Sequence, residues 1–93
     1  MTFANRTLDI ITFYTVNKNE VRAWPVQRGL TAKQCANHVH SDMFHGFIKV
    51  EVVSADDMLR LGLKRARDEG KFHTEGAHYL PRDGDVLLFK FRE

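Results

Sequence analysis

His78-Tyr79-Leu80-Pro81-Arg82-Asp83-Gly84-Asp85 runs straight into the apolar stretch Val86-Leu87-Leu88-Phe89-Lys90-Phe91. Asp-Gly favours a tight turn because glycine tolerates positive φ, and Val, Leu and Phe suit a pleated, buried surface. The two together predict a turn that feeds a central strand beginning at Asp85. A chain that ends in its own core strand is expected to be complete at that end.

Upstream, Leu8 to Val16 is rich in Ile, Thr, Phe and Tyr and predicts a first strand, Asn17-Lys18-Asn19 a turn, and Glu20 to Arg28 a second strand of the same hairpin. Thr31 with Gln34 three residues on is a capping-box pattern, and Ala32, Cys35, Ala36 and Val39 follow at helical spacing. Phe47 to Val53 alternates, with Ile48, Val50 and Val52 on one face and Lys49 and Glu51 on the other, as a half-buried strand does. Ser54 then caps a second helix whose apolar positions are Met58, Leu59 and Ala66 and which runs out near Gly70.

Strand, strand, helix, strand, helix, strand is the order of an α+β, β-grasp (ubiquitin-like) mixed sheet with one main helix and a second inserted helix. The first and last strands are expected to lie parallel at the centre, with the helices on one face and the other face partly open. At 93 residues, 43% hydrophobic and 28% charged, the chain fits one soluble domain. Residues 1–7 predict a poorly ordered head and 8–93 the folded domain.

Five blocks also resemble, in order and spacing, the TGS-type domain that terminates the YchF/Obg-like ATPases. They are Thr12-Phe13-Tyr14-Thr15, then Glu20-Val21-Arg22-Ala23-Trp24, then His40-Ser41-Asp42 with Gly46-Phe47-Ile48, then Gly70-Lys71 with Glu75-Gly76, and finally the Tyr79 to Val86 close. Pro25 stands where the family usually carries Thr or a similar residue, and Met43-Phe44 where an aromatic followed by a charged residue is usual. His73, Ala77 and His78 occupy positions often held by Arg, Lys and Asp, which lowers the local positive charge. The resemblance implies a non-catalytic accessory domain that contacts RNA or the ribosome, alongside an upstream P-loop nucleotide-binding domain in the full-length family. It also implies that His40, Asp42 and Gly46 order the loop before the third strand.

No Gly-x-x-x-x-Gly-Lys-(Ser/Thr), Gly-x-Gly-x-x-Gly or Cys-x-x-Cys occurs, so the sequence lacks a phosphate-cradling loop and a thiolate pair. It predicts no enzyme and no cofactor. His38, His40, Asp42 and His45 bring nitrogen and oxygen ligands together, but their spacing matches no established metal site. Cys35 falls on the apolar stripe of the first helix, with no base identifiable beside it. One cysteine, a start without a signal-peptide core and no apolar run of roughly 20 residues predict a cytoplasmic, membrane-free monomer.

The formal charge is +2, with 14 basic residues interleaved among 12 acidic ones. Lys18, Arg22, Arg28, Lys33 and Lys49 come from elements adjacent in such a sheet and form a candidate contact patch for RNA phosphate or a protein partner. Lys64-Arg65-x-Arg67 forms a second cluster that Asp68 and Glu69 are placed to neutralise. Trp24 either stacks on a base, worth about 1–3 kcal/mol, or fills the core against Phe89 or Phe91, and the size of the ring in a small domain favours the core. A ubiquitin-like protein-interaction module is the alternative to RNA contact.

Overall fold

The structure, a computed structural model, describes residues 9–17 and 20–93. The expected N-terminal head therefore lies outside the described residues, as does Lys18. Among the described residues the elements are β1 (Ile10–Val16), β2 (Val21–Gln27), α1 (Ala32–Val39), α2 (Ser41–His45), β3 (Phe47–Ser54), α3 (Ala55–Asp68), β4 (His73–Glu75) and β5 (Asp85–Phe91). The strands form one mixed sheet in the order β2-β1-β5-β3-β4, with β1 and β5 parallel at its centre and the other neighbours antiparallel. This is the β-grasp arrangement, with a short α2 and a three-residue β4 added to the elements legible in the sequence.

The turn before β5 is held by both of its carboxylates and by its main chain. The buried Asp85 accepts hydrogen bonds through Oδ2 from the Tyr79 hydroxyl at 2.6 Å and the Arg82 amide at 2.9 Å. The Asp83 carboxylate accepts from the Thr12 amide at 2.7 Å, and the Gly84 amide donates to the Thr12 carbonyl at 2.8 Å. Gly84 has a φ of 90°, which a side chain would strain, and its carbonyl accepts from the Ala55 amide at 2.8 Å. One turn thus fastens β5 to β1 on one side and to the start of α3 on the other.

Side chains along β5 alternate between two cores. Leu87 and Phe89 join Ile11, Phe13, Val26, Val50, Val52 and Cys35 under α1, whereas Val86 and Leu88 join Val53, Ala66, Tyr14 and Met58 under α3. Fully burying each of the larger side chains contributes about 1.5–3 kcal/mol. The helices therefore cover both faces, which corrects the expectation that they share one. The reason lies in β5, whose continuous apolar run has two faces to bury and not one. The part left open is on the α3 side of the hairpin, where Ile10 and Val21 remain 47% and 57% exposed.

Two further expectations change. Ile48 is 53% exposed and does not join Val50 and Val52, because a register irregularity between Phe47 and Lys49 shifts the alternation by one residue and gives the inward place to Phe47. In α3, Leu59 faces solvent, while Met58, Leu61 and Ala66 pack inward across a break at Gly62. The capping box of α1 is present in full, with the Gln34 amide donating to Thr31 Oγ1 and Gln34 Oε1 accepting from the Thr31 amide.

Pro25 costs the sheet no ladder bond. It lies opposite Thr12, whose amide and carbonyl are both turned toward β5, so this is a pair without mutual hydrogen bonds. No helix among the described residues is long and apolar enough to cross a membrane.

Two tests follow from these contacts. Replacing Gly46 by Ala would drive a Cβ into the Arg92 carbonyl at the end of β5, so G46A should lose about 2 kcal/mol or more in urea unfolding. Tyr79→Phe removes one donor from the buried Asp85 and should cost about 1–3 kcal/mol in the same assay. Burial and the Asp85 hydrogen bond push the Tyr79 hydroxyl well above the ordinary tyrosine range. Its ionisation is therefore disfavoured in the fold, and stability present below pH about 10 should drain as pH rises past it, less so in Tyr79→Phe.

Candidate functional site

On the α1 face an aromatic row crosses four strands. Trp24 of β2 lies nearly parallel to Phe13 of β1 at a centroid distance of 6.3 Å, Phe13 meets Phe89 of β5 edge-on at 6.3 Å, and Phe89 meets Phe47 of β3 at 6.3 Å. The row exists because these residues share one face at neighbouring register positions, Phe13 directly opposite Trp24. Trp24 ends the row half-buried, its indole N–H donating to Thr15 Oγ1 at 2.9 Å. The Arg22 guanidinium sits over the ring, 5.0 Å from its centroid.

Beyond Trp24 the sheet opens. The β1 to β2 ladder holds seven register pairs, whereas the β1 to β5 ladder holds one, Tyr14 with Val86. Past that pair the two parallel strands border a cleft of about 400 Å³. Thr15, Val16 and Asn17 form one wall and Leu87 to Lys90 the other, with Arg22 and Trp24 from β2, Val39 from α1 and Met43 from α2 on the α1 side. Consecutive residues of both strands line it although their side chains alternate between faces, so main chain forms part of each wall.

The predicted contact residues divide. Arg22 and Lys33 share the α1 side, and each is seated on an aromatic ring, the Lys33 ammonium lying 4.9 Å from the Phe44 centroid. Neither has a carboxylate partner among the described residues. Arg28 is held by both oxygens of Asp9 at 3.0 and 3.1 Å, at the far end of β2 from Arg22. Lys49 is on the α3 face, where it, Lys90 and Arg67 bear on Glu51. In α3, Lys64 pairs with Asp68, Arg65 with Glu69 and Arg67 with Glu51, so that cluster is neutralised.

His40 caps α2, its Nδ1 accepting from the Asp42 amide at 3.0 Å, and the Gly46 amide donates to the Asp42 carbonyl at 2.9 Å. Among the described residues no three His, Cys, Asp or Glu side chains converge as a metal site would require. The amide ends of α1 are occupied as well: Ala32 and Lys33 donate to the Tyr79 and Ala77 carbonyls. Cys35 is fully buried, and burial pushes its thiol up to about 11.

The cleft and the Lys33 to Phe44 contact were not legible in the sequence. Phe44 and Lys33 are eleven positions apart on separate helices, a spacing no periodicity connects. The wall from β5 reads only as core strand.

This fold, with its open central ladder and cation-seated aromatic face, defines a small non-repetitive β-grasp domain. Residues 10–92 match the YchF-GTPase_C family, described as a protein of unknown function (DUF933), and the chain belongs to that family. It is 47% identical over 95% of its length to the ribosome-binding ATPase YchF of Mycoplasma genitalium and 41% identical over 90% to that of Bacillus subtilis. The chain spans 24% and 23% of those two relatives. It is also similar to the solved Schizosaccharomyces pombe YchF GTPase, with a TM-score of 0.82 at 28% identity over 94% of this chain and 23% of that one.

A buried thiol held at about 11 should resist chemistry. Iodoacetamide at pH 7.5 should leave Cys35 unmodified in the native protein and alkylate it fully in urea, as read by intact mass.

Proposed function

We propose that this domain is a non-catalytic, cytoplasmic binding module that contacts RNA or a ribosomal surface through its α1 face and thereby positions a nucleotide-hydrolysing partner domain. The observation that carries the reading is the pair of cations on that face, Arg22 on Trp24 and Lys33 on Phe44, held by rings and free of carboxylate partners among the described residues. A cation fixed over an aromatic keeps its N–H donors available for phosphate and gives up less side-chain freedom on binding. Relatives named as ribosome-binding ATPases support the same assignment, and the sequence has no phosphate-cradling loop of its own.

A second reading, a ubiquitin-like module that docks protein, is favoured by the open α3 side of the hairpin, where Ile10 and Val21 stay exposed beside Ala23 and Pro25. The two differ in salt response, because phosphate contacts release counterions and apolar ones do not.

Binding of the domain to ribosomes and to structured RNA should weaken at least about tenfold between roughly 50 and 200 mM salt. It should be lost in the double variant Arg22→Glu, Lys33→Glu, while Lys64→Glu should change it little. Absence of binding at low salt would overturn the RNA reading and leave the protein-docking one.

A further inference from the structure

We propose that the cleft between β1 and β5 receives the base of one unpaired nucleotide of single-stranded RNA. The inference rests on the RNA-contact reading and gives it a site of a particular kind. The Thr12 amide bonds the Asp83 carboxylate, and its carbonyl accepts from Gly84, so even-numbered residues of β1 turn their main-chain groups toward β5. Tyr14 uses that direction to pair with Val86, and Val16, two residues on, presents its amide and carbonyl to the cleft. By the same alternation Leu87, whose amide is taken up in the Tyr14 to Val86 pairing, turns its carbonyl toward β1, and Phe89 turns both its groups. The walls thus offer donors and acceptors side by side, as the edge of a nucleobase does.

At about 400 Å³ the cleft falls within the roughly 300–1,000 Å³ of small-molecule sites. Its walls are polar main chain between the apolar flats of Leu87, Phe89, Val39 and Met43, which suits a flat group with a polar rim. A purely apolar side chain would leave the main-chain groups without partners. An extended peptide is disfavoured because the Tyr14 to Val86 pair closes the cleft at one end, so a planar group enters edge-on where a through-running strand would be blocked. Arg22 stands at the mouth with its guanidinium over Trp24, 5.0 Å from the ring centroid, where it can meet the ring of a base and donate to the adjoining phosphate. Glu20 also lines the mouth, and Lys90 is drawn to Glu51 at 3.7 Å, so among the described residues Arg22 is the lining cation left to meet a phosphate.

The protein has one tryptophan, and it lines this cleft, so its emission reports occupancy. The probes are an unstructured pyrimidine hexaribonucleotide, the same backbone with abasic sugars, and a blunt RNA duplex, each titrated at about 50 mM salt with anisotropy of a labelled end read in parallel. The expected result is quenching of Trp24 by the hexanucleotide alone, with affinity at least fivefold above the abasic strand. Val39→Phe, which narrows the cleft without touching a charge, should erase that preference while leaving binding of the abasic strand unchanged. Backbone amide shifts of Val16 and Phe89 should move with the hexanucleotide and stay still with the duplex. Equal binding of all three probes with steady Trp24 emission would overturn the cleft assignment and leave RNA contact standing. No binding by any probe would overturn both.

Discussion

A carboxylate enclosed in the turn before β5 holds this fold in register. Asp85 is a charged group with almost no exposure, and it is tolerable there because a tyrosine hydroxyl and a main-chain amide both donate to it. Leaving either donor out would strand a buried charge, so the turn has one arrangement. From that arrangement Asp83 and Gly84 reach Thr12, which aligns β5 with β1, and the Gly84 carbonyl receives the first amide of α3. The Tyr79 carbonyl, at the other end of the same segment, receives the first amide of α1. Both long helices are therefore anchored by one loop, on opposite faces of the strand it introduces.

This economy explains what could be read in advance. Tyr79 and Asp85 are recognisable because they bond each other six residues apart, and Asp83-Gly84 because its turn needs the positive φ of glycine; such local demands leave a sequence pattern even where, as with Asp83 and Thr12, the contact they serve is distant. The same holds for Thr31 with Gln34, and for Ser54 at the start of α3. Features that depend on distant parts of the chain left no such trace. Ile48 obeys alternation in the sequence and breaks it in the structure, since the irregularity belongs to the pairing of β3 with β5. The placement of α3 on the second face follows from β5 lying at the centre of the sheet with both faces to cover, a pairing that local periodicity does not encode.

The candidate site was legible in its chemistry and illegible in its geometry. Arg22, Lys33 and Trp24 stood out as cations and an aromatic, but the four described members of the five-residue basic group do not lie on one surface. Asp9 holds Arg28, Lys49 turns to the other face, and the pair that remains is selected by Phe44 and Trp24. Charge composition counts residues, whereas a surface depends on which of them already have partners. An opening between two parallel strands is harder still to foresee, because both strands read as continuous core.

Pro25 has a consequence for the molecule among its own copies. Its ring points out of the free border of β2, in the row where Val21, Ala23 and Gln27 turn their amides outward, and it interrupts that row near its middle. The opposite border is β4, only three residues long. Among the described residues a neighbouring chain therefore meets an interrupted row at one border and a short one at the other. The described sheet presents a missing proton at one border and brevity at the other, both of which work against edge-to-edge addition of further strands.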